Sequence, residues 1–118
     1  MTTSAATGRY APVNGLQLYY EEHGTGDPLV LLHGGMHTID LSFRKLIPQL
    51  SASHRLIAVE MQGHGHTADV ERDPTYPNLA DDVVALLDHL GIARADVFGF
   101  SLGGIVTLEL GMRHPDRV

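Results

Sequence analysis

A serine stands between two glycines in Gly99-Phe100-Ser101-Leu102-Gly103, and the residues around it change periodicity at that point. Val97, Phe98 and Phe100 form a short β-favouring apolar run. From Leu102 onward the apolar positions fall at Ile105, Leu108 and Met112, one face of a helix. A strand therefore turns sharply into a helix at Ser101, the Gly-x-Ser-x-Gly arrangement of a nucleophile elbow. Such a turn crowds the backbone, so its flanks need residues with little or no side chain, and Gly99 and Gly103 meet that need. The helix that follows presents its first N–H groups and its positive dipole end beside the hydroxyl, where an oxyanion would be stabilised. The chemistry this predicts is nucleophilic attack by Ser101 on an acyl carbonyl. A nucleotide loop is the poorer reading, because Gly99 to Gly104 lacks the Gly-x-Gly-x-x-Gly spacing.

The elements that must position the serine are legible upstream. Tyr10–Val13 and Leu16–Glu22 read as strands joined by Asn14-Gly15, a strong hairpin signal. Leu29–Leu32 is apolar without alternation, as expected of a strand covered on both faces, and it runs into His33-Gly34-Gly35-Met36. Phe43, Leu46, Ile47 and Leu50 predict a helix bent or tightened by Pro48. Arg55–Val59 is the next strand, and the glycine-rich loop Met61–Thr67 follows it. Leu79, Val83, Leu86, Leu87 and Leu90 predict an amphipathic helix capped by Asn78, with Asp81 and Asp82 in its first turn and Gly91 past its end. The last helix stops at His114-Pro115. Strands alternating with helices mean a parallel sheet with right-handed crossovers, here opened by an antiparallel ribbon.

Three motifs in combination, His33-Gly34-Gly35, Gly63-His64-Gly65 and Gly99-Phe100-Ser101-Leu102-Gly103, give the chain a resemblance to the α/β-hydrolase family from about Tyr10 onward. The resemblance implies an α/β fold, with a mostly parallel sheet and flanking helices. It implies Ser101 as nucleophile and the backbone N–H groups of Leu102 and Gly35 as the oxyanion hole. Met36 and His33 are the candidates for substrate binding. His33 also reads as a brace of its own loop, and Met36 and Leu102 either line a pocket or belong to the core. Glu60 departs from the aspartate the family usually carries at that strand end. A serine at position 101 separates the chain from the epoxide hydrolases and dehalogenases of the family, which place an aspartate there.

In this family the triad acid and histidine follow the serine, and residues 1–118 end before such strands. The expectation is therefore the amino-terminal portion of a single hydrolase domain, residues 10–118, preceded by a flexible lead-in over residues 1–9. By itself this portion should turn over little ester and should self-associate through its uncovered surfaces. The activity implied for the intact protein is that of a serine hydrolase, a carboxylesterase acting on a small ester. C–C bond hydrolases, perhydrolases and acyltransferases share the framework, and a catalytically silent module is the reading from another class.

Composition narrows the partners. A net charge of −6 argues against a nucleic-acid or anionic-membrane surface, and no run is long and apolar enough to span a bilayer. The absence of cysteine excludes disulfides and thiolate chemistry and fits a cytoplasmic setting. Eight histidines raise the question of a metal, yet they show no metal-binding spacing on one helix face. His64 and His66 read as loop residues and Asp81 and Asp82 as helix-start charges, so no cofactor or metal is expected.

Overall fold

The computed structural model describes residues 8–118. Nine elements follow in order: β1 (Gly8–Val13), β2 (Leu16–His23), β3 (Asp27–Leu32), α1 (Ile39–Phe43), α2 (Leu46–Leu50), β4 (His54–Val59), α3 (Tyr76–Leu90), β5 (Asp96–Gly99) and α4 (Leu102–Arg113). They build one five-stranded sheet in the order β1-β2-β4-β3-β5. β3 pairs in parallel with β4 on one side and β5 on the other, while β2 joins antiparallel to both β1 and β4. The sheet is thus mixed, with a parallel half that carries the serine strand and an antiparallel ribbon beyond it. Most of the expected lead-in, residues 1–7, lies outside the described residues. Gly8 and Arg9 are already part of β1, opposite Glu21 and Tyr20, so the first strand starts earlier than Tyr10.

Side-chain alternation on the central strands divides the interior into two layers. Val30, Leu32, Ile57 and Val59 face α3 and α4, where Leu79, Val83, Leu86, Val106 and Leu110 complete the larger core. Leu31, Leu56 and Ala58 face the other way, against Ile39 and Phe43 of α1. Leu46, Ile47 and Leu50 of α2 are partly buried against this second layer. The result is helix, sheet, helix, which explains why β3 reads as continuously apolar. Among the described residues no helix is long and apolar enough to cross a membrane.

Three local expectations need correction. The single helix over Phe43–Leu50 is two short ones with a turn at Arg44-Lys45. A continuous helix would set the Pro48 ring against the Arg44 carbonyl, and the break moves Pro48 into a first turn, where its missing N–H is harmless. The long helix begins at Tyr76 rather than at Leu79. Its cap is Thr75, whose hydroxyl accepts the N–H of Asn78 at 3.2 Å. Asp81 and Asp82 consequently lie beyond the first turn. Asp81 meets Arg113 at the end of α4 and His114 just past it, and the hydrogen bond with His114, then that from Arg113, hold its carboxyl below the usual range. Finally, Ile105, Leu108 and Met112 point outward, with Leu108 68% and Met112 72% exposed, while Gly103, Val106 and Leu110 meet the sheet.

Candidate active site

Ser101 sits at the C-terminal end of β5, where its backbone takes φ 53° and ψ −111°. A non-glycine residue in that region is strained, and such strain persists only where the surroundings fix it. The fixing bonds come from both sides. The N–H of Phe100 donates to Leu32 O at 3.0 Å, and the N–H of Gly103 donates to His33 O at 3.1 Å. The carbonyl of Ser101 accepts Gly104 N–H and Ile105 N–H at 2.8 and 3.1 Å, which opens α4. The elbow has no room to spare. A Cβ on Gly103 would overlap the Leu32 carbonyl oxygen, and one on Gly99 would overlap Gly103 O and the Thr107 hydroxyl. Ser101 itself is exposed.

The loop after β3 lies directly against the elbow. A Cβ on Gly35 would stand 3.7 Å from the Leu102 side chain, and one on Gly34 would stand 2.9 Å from the Phe100 ring. Among the described residues neither the Leu102 nor the Gly35 N–H meets an acceptor. Two free donors, one on each side of the serine loop, are what an oxyanion would need. Met36 is 93% exposed with φ 64°, and Leu102 is half-buried.

His33 is fully buried, so it is not a group that lines an open pocket. Its Nε2 faces the Met61 N–H at 2.9 Å and can only accept there, so Nδ1 carries the proton and donates to Gly34 O at 2.8 Å. Burial pushes its pKa down from the ordinary value, in keeping with a neutral ring. The imidazole thus ties the loops after β3 and β4 together.

The second brace is Glu60, also buried, at the end of β4. Its carboxylate accepts Ile39 N–H at 3.1 Å and His66 N–H at 2.7 Å, and it contacts His66 Nδ1 at 2.8 Å. Gly65 has no side chain because a Cβ there would overlap that carboxylate. The His66 ring stacks on Tyr19, whose phenol donates to Glu21 at 2.8 Å. Burial, then that hydrogen bond, push the Tyr19 pKa up, so the phenol stays a proton donor. His64 contacts Gln62 O through Nδ1. A third group, unforeseen from sequence, joins Arg72 to Asp82 at 2.6 and 3.0 Å and to Gln62 Oε1 at 2.6 and 3.0 Å, with Asn14 donating to Asp82 at 3.0 Å. It pins the loop after β4 to α3 and to the hairpin turn.

A family model described as alpha/beta hydrolase fold matches residues 27–118, from the first residue of β3 through the elbow helix. The chain belongs to the α/β-hydrolase family. This α/β-hydrolase chain is 40% identical over 111 residues to the dihydrolipoyllysine-residue acetyltransferase component of the acetoin cleaving system of Pseudomonas putida, covering 92% of the chain and 30% of that relative. It is 34% identical over 122 residues to 2-hydroxymuconate semialdehyde hydrolase of Pseudomonas sp. strain CF600, covering 98% of the chain and 42% of the relative. Among solved structures, the ligand-free epoxide hydrolase CorEH superposes with a TM-score of 0.91 at 32% identity, covering 95% of this chain and 39% of that one. The chain thus spans less than half the length of each of these α/β-hydrolase relatives.

Proposed function

We propose that the protein carrying this chain is a serine hydrolase that cleaves small esters through an acyl-enzyme on Ser101. The observation behind this reading is the pose of Ser101: an exposed hydroxyl on a strained elbow, with the unpartnered N–H groups of Leu102 and Gly35 on the neighbouring backbone. Ser101 Oγ attacks the acyl carbonyl and gives its proton to a general base, which the family order puts after the serine. The carbonyl oxygen takes the negative charge and the two N–H groups hold it. Collapse of the tetrahedral intermediate expels the alcohol with the proton from the base. Water then attacks the acyl-enzyme by the same route and frees the acid and the serine.

A fluorophosphonate probe on the product of the complete reading frame tests the reading. Rapid labelling at Ser101, with loss of labelling and of p-nitrophenyl acetate turnover in Ser101→Ala, is the expected result. A folded protein that the probe leaves untouched would instead support a catalytically silent module.

A second reading, acyl transfer to an acceptor other than water, has one observation in its favour: the relative at 40% identity is named as an acetyltransferase component. It uses the same acyl-enzyme. Adding candidate alcohol or thiol acceptors and measuring how the acyl group partitions separates it from hydrolysis.

A further inference from the structure

The proposed oxyanion hole depends on where one peptide plane points, the one joining Gly34 to Gly35. Its carbonyl is held by two donors, His33 Nδ1–H at 2.8 Å and the His37 N–H at 3.0 Å. All described peptide bonds are trans, so the Gly35 N–H points away from that held carbonyl. The preceding plane is held by a side chain: the Gly34 N–H donates to Ser42 Oγ at 3.2 Å. Ser42, on α1, also shares a 2.9 Å hydrogen bond with His37 Nδ1. The His37 ring in turn stacks on Phe100, the residue before the nucleophile, with centroids 5.8 Å apart and planes 28° apart. Gly34 lies beside the same Phe100 ring, where an added Cβ would come within 2.9 Å of the ring edge.

These contacts close a circuit from Gly34 N–H to Ser42, to His37, to Phe100 and back to Gly34. We propose that Ser42 and His37 are positioning residues that set the loop carrying the Gly35 N–H against the nucleophile elbow. They act through the backbone and neither reacts with substrate. The hydroxyl satisfies the Gly34 amide and orients the imidazole, and the imidazole presses its face on Phe100. Loss of the hydroxyl frees the Gly34 amide and the ring together, and the Gly35 N–H moves away from the place where the oxyanion forms. Misplacement on the ångström scale at such a position costs on the order of a hundredfold in rate, and a partial shift correspondingly less. Ground-state binding, which does not use the oxyanion donor, should scarcely change.

The inference rests on the acyl-enzyme reading, and the experiment separates the two. In the complete protein, Ser42→Ala should lower kcat for p-nitrophenyl acetate roughly tenfold, with KM within about twofold and a melting temperature lowered by only a few degrees, as one orphaned amide predicts. Ser42→Thr, which keeps the hydroxyl, should restore most of kcat, and His37→Phe, which keeps the stacked ring alone, should fall between. Amide exchange at Gly34, read by NMR, should quicken at least tenfold in Ser42→Ala and not in Ser42→Thr. A kcat that stays within about twofold of the wild type in Ser42→Ala, or a Gly34 amide that stays as protected, overturns the positioning role while Ser101 labelling keeps the acyl-enzyme reading. If the wild type itself resists the fluorophosphonate, the acyl-enzyme reading falls and takes the catalytic role of Ser42 and His37 with it.

Discussion

His33 Nε2 accepts the backbone N–H of Met61 across 28 residues of chain, at 2.9 Å and in the buried interior. One imidazole therefore satisfies a donor on the loop after β4 and, through Nδ1–H, an acceptor on the loop after β3. His33→Ala strands the Met61 N–H, while Gly34 O keeps the His37 N–H. The orphaned donor costs about 1–3 kcal/mol and the emptied ring volume adds to it, so a loss of about 3 kcal/mol in urea unfolding is expected.

The same burial sets a pH dependence. The pKa of His33 is lowered in the folded state, so below the ordinary value of 6.5 the unfolded chain takes up a proton that the native ring does not. Stability from this residue is therefore intact above about pH 6.5 and declines as the pH falls from there toward the lower folded value. A ¹⁵N NMR titration should show His33 still neutral below pH 6.5, with the proton on Nδ1. A His33 that titrates at or above its ordinary value would refute the assignment of Nε2 as an acceptor.

At Gly103 the threat is steric. Both its neighbours, the carbonyls of Leu32 and His33, are backbone at the end of β3 and cannot swing aside as a side chain would. Gly103→Val should cost about 3 kcal/mol or more, at the upper end of the ordinary range for single substitutions. An unchanged melting temperature would mean that the elbow is more open than described.

Asp82 is 4% exposed at its side chain and faces Arg72 through two hydrogen bonds, with the arginine 22% exposed. The Asp82 hydrogen bond, more than the charge, raises the Arg72 pKa, and the guanidinium stays charged throughout the working range. Removing one member of such a pair leaves a charge with no partner, so Asp82→Ala should cost about 3 kcal/mol. Equal stabilities of the wild type and Asp82→Ala would show that the network contributes nothing.

Association is the last expectation. β5 ends the sheet, hydrogen-bonded to β3 alone among the described strands, and Phe98 on it is 45% exposed. Beside it, Ile105, Leu108 and Met112 form an exposed apolar stripe on α4. An open strand edge next to apolar surface favours pairing with another chain. The 118-residue chain should sediment at micromolar concentration as dimers or larger species, and Leu108→Lys with Met112→Lys should shift it toward monomer. A single monomeric boundary for the unaltered chain would contradict this.

The features that were legible in the sequence are those written in short local patterns. The elbow was visible because steric crowding demands glycine at two fixed offsets from Ser101, and the hairpin because Asn14 and Gly15 both take positive φ. The orientation of α4 was not, because Val106 and Leu110 on one face and Leu108 and Met112 on the other are equally apolar, and only the sheet decides which side is covered. Thr75 is less visible as a cap than Asn78, because the apolar repeat begins only at Leu79, although Pro77 suits a first helical turn. The contacts of Glu60 with Ile39 and His66, of Ser42 with Gly34 and His37, and of Arg72 with Asp82 join residues whose spacing follows no period. Nothing local announces them, since each polar group finds its partner only after the strands are in place.

Because β3 lies between β4 and β5 in the sheet but precedes both in the chain, the elbow is assembled in a forced sequence. The hairpin β1-β2 needs only neighbours and can close as soon as it is synthesised. β3 must wait for β4, and then again for β5, before its second edge is filled, so contacts of long sequence separation arrive last and slowly. The bonds that strain Ser101, from Phe100 to Leu32 and from Gly103 to His33, are among those late arrivals. A ribosome paused between β4 and β5 would therefore display an apolar strand with one bare edge. Ser101 takes its strained pose only once β5 has filled the second edge of β3.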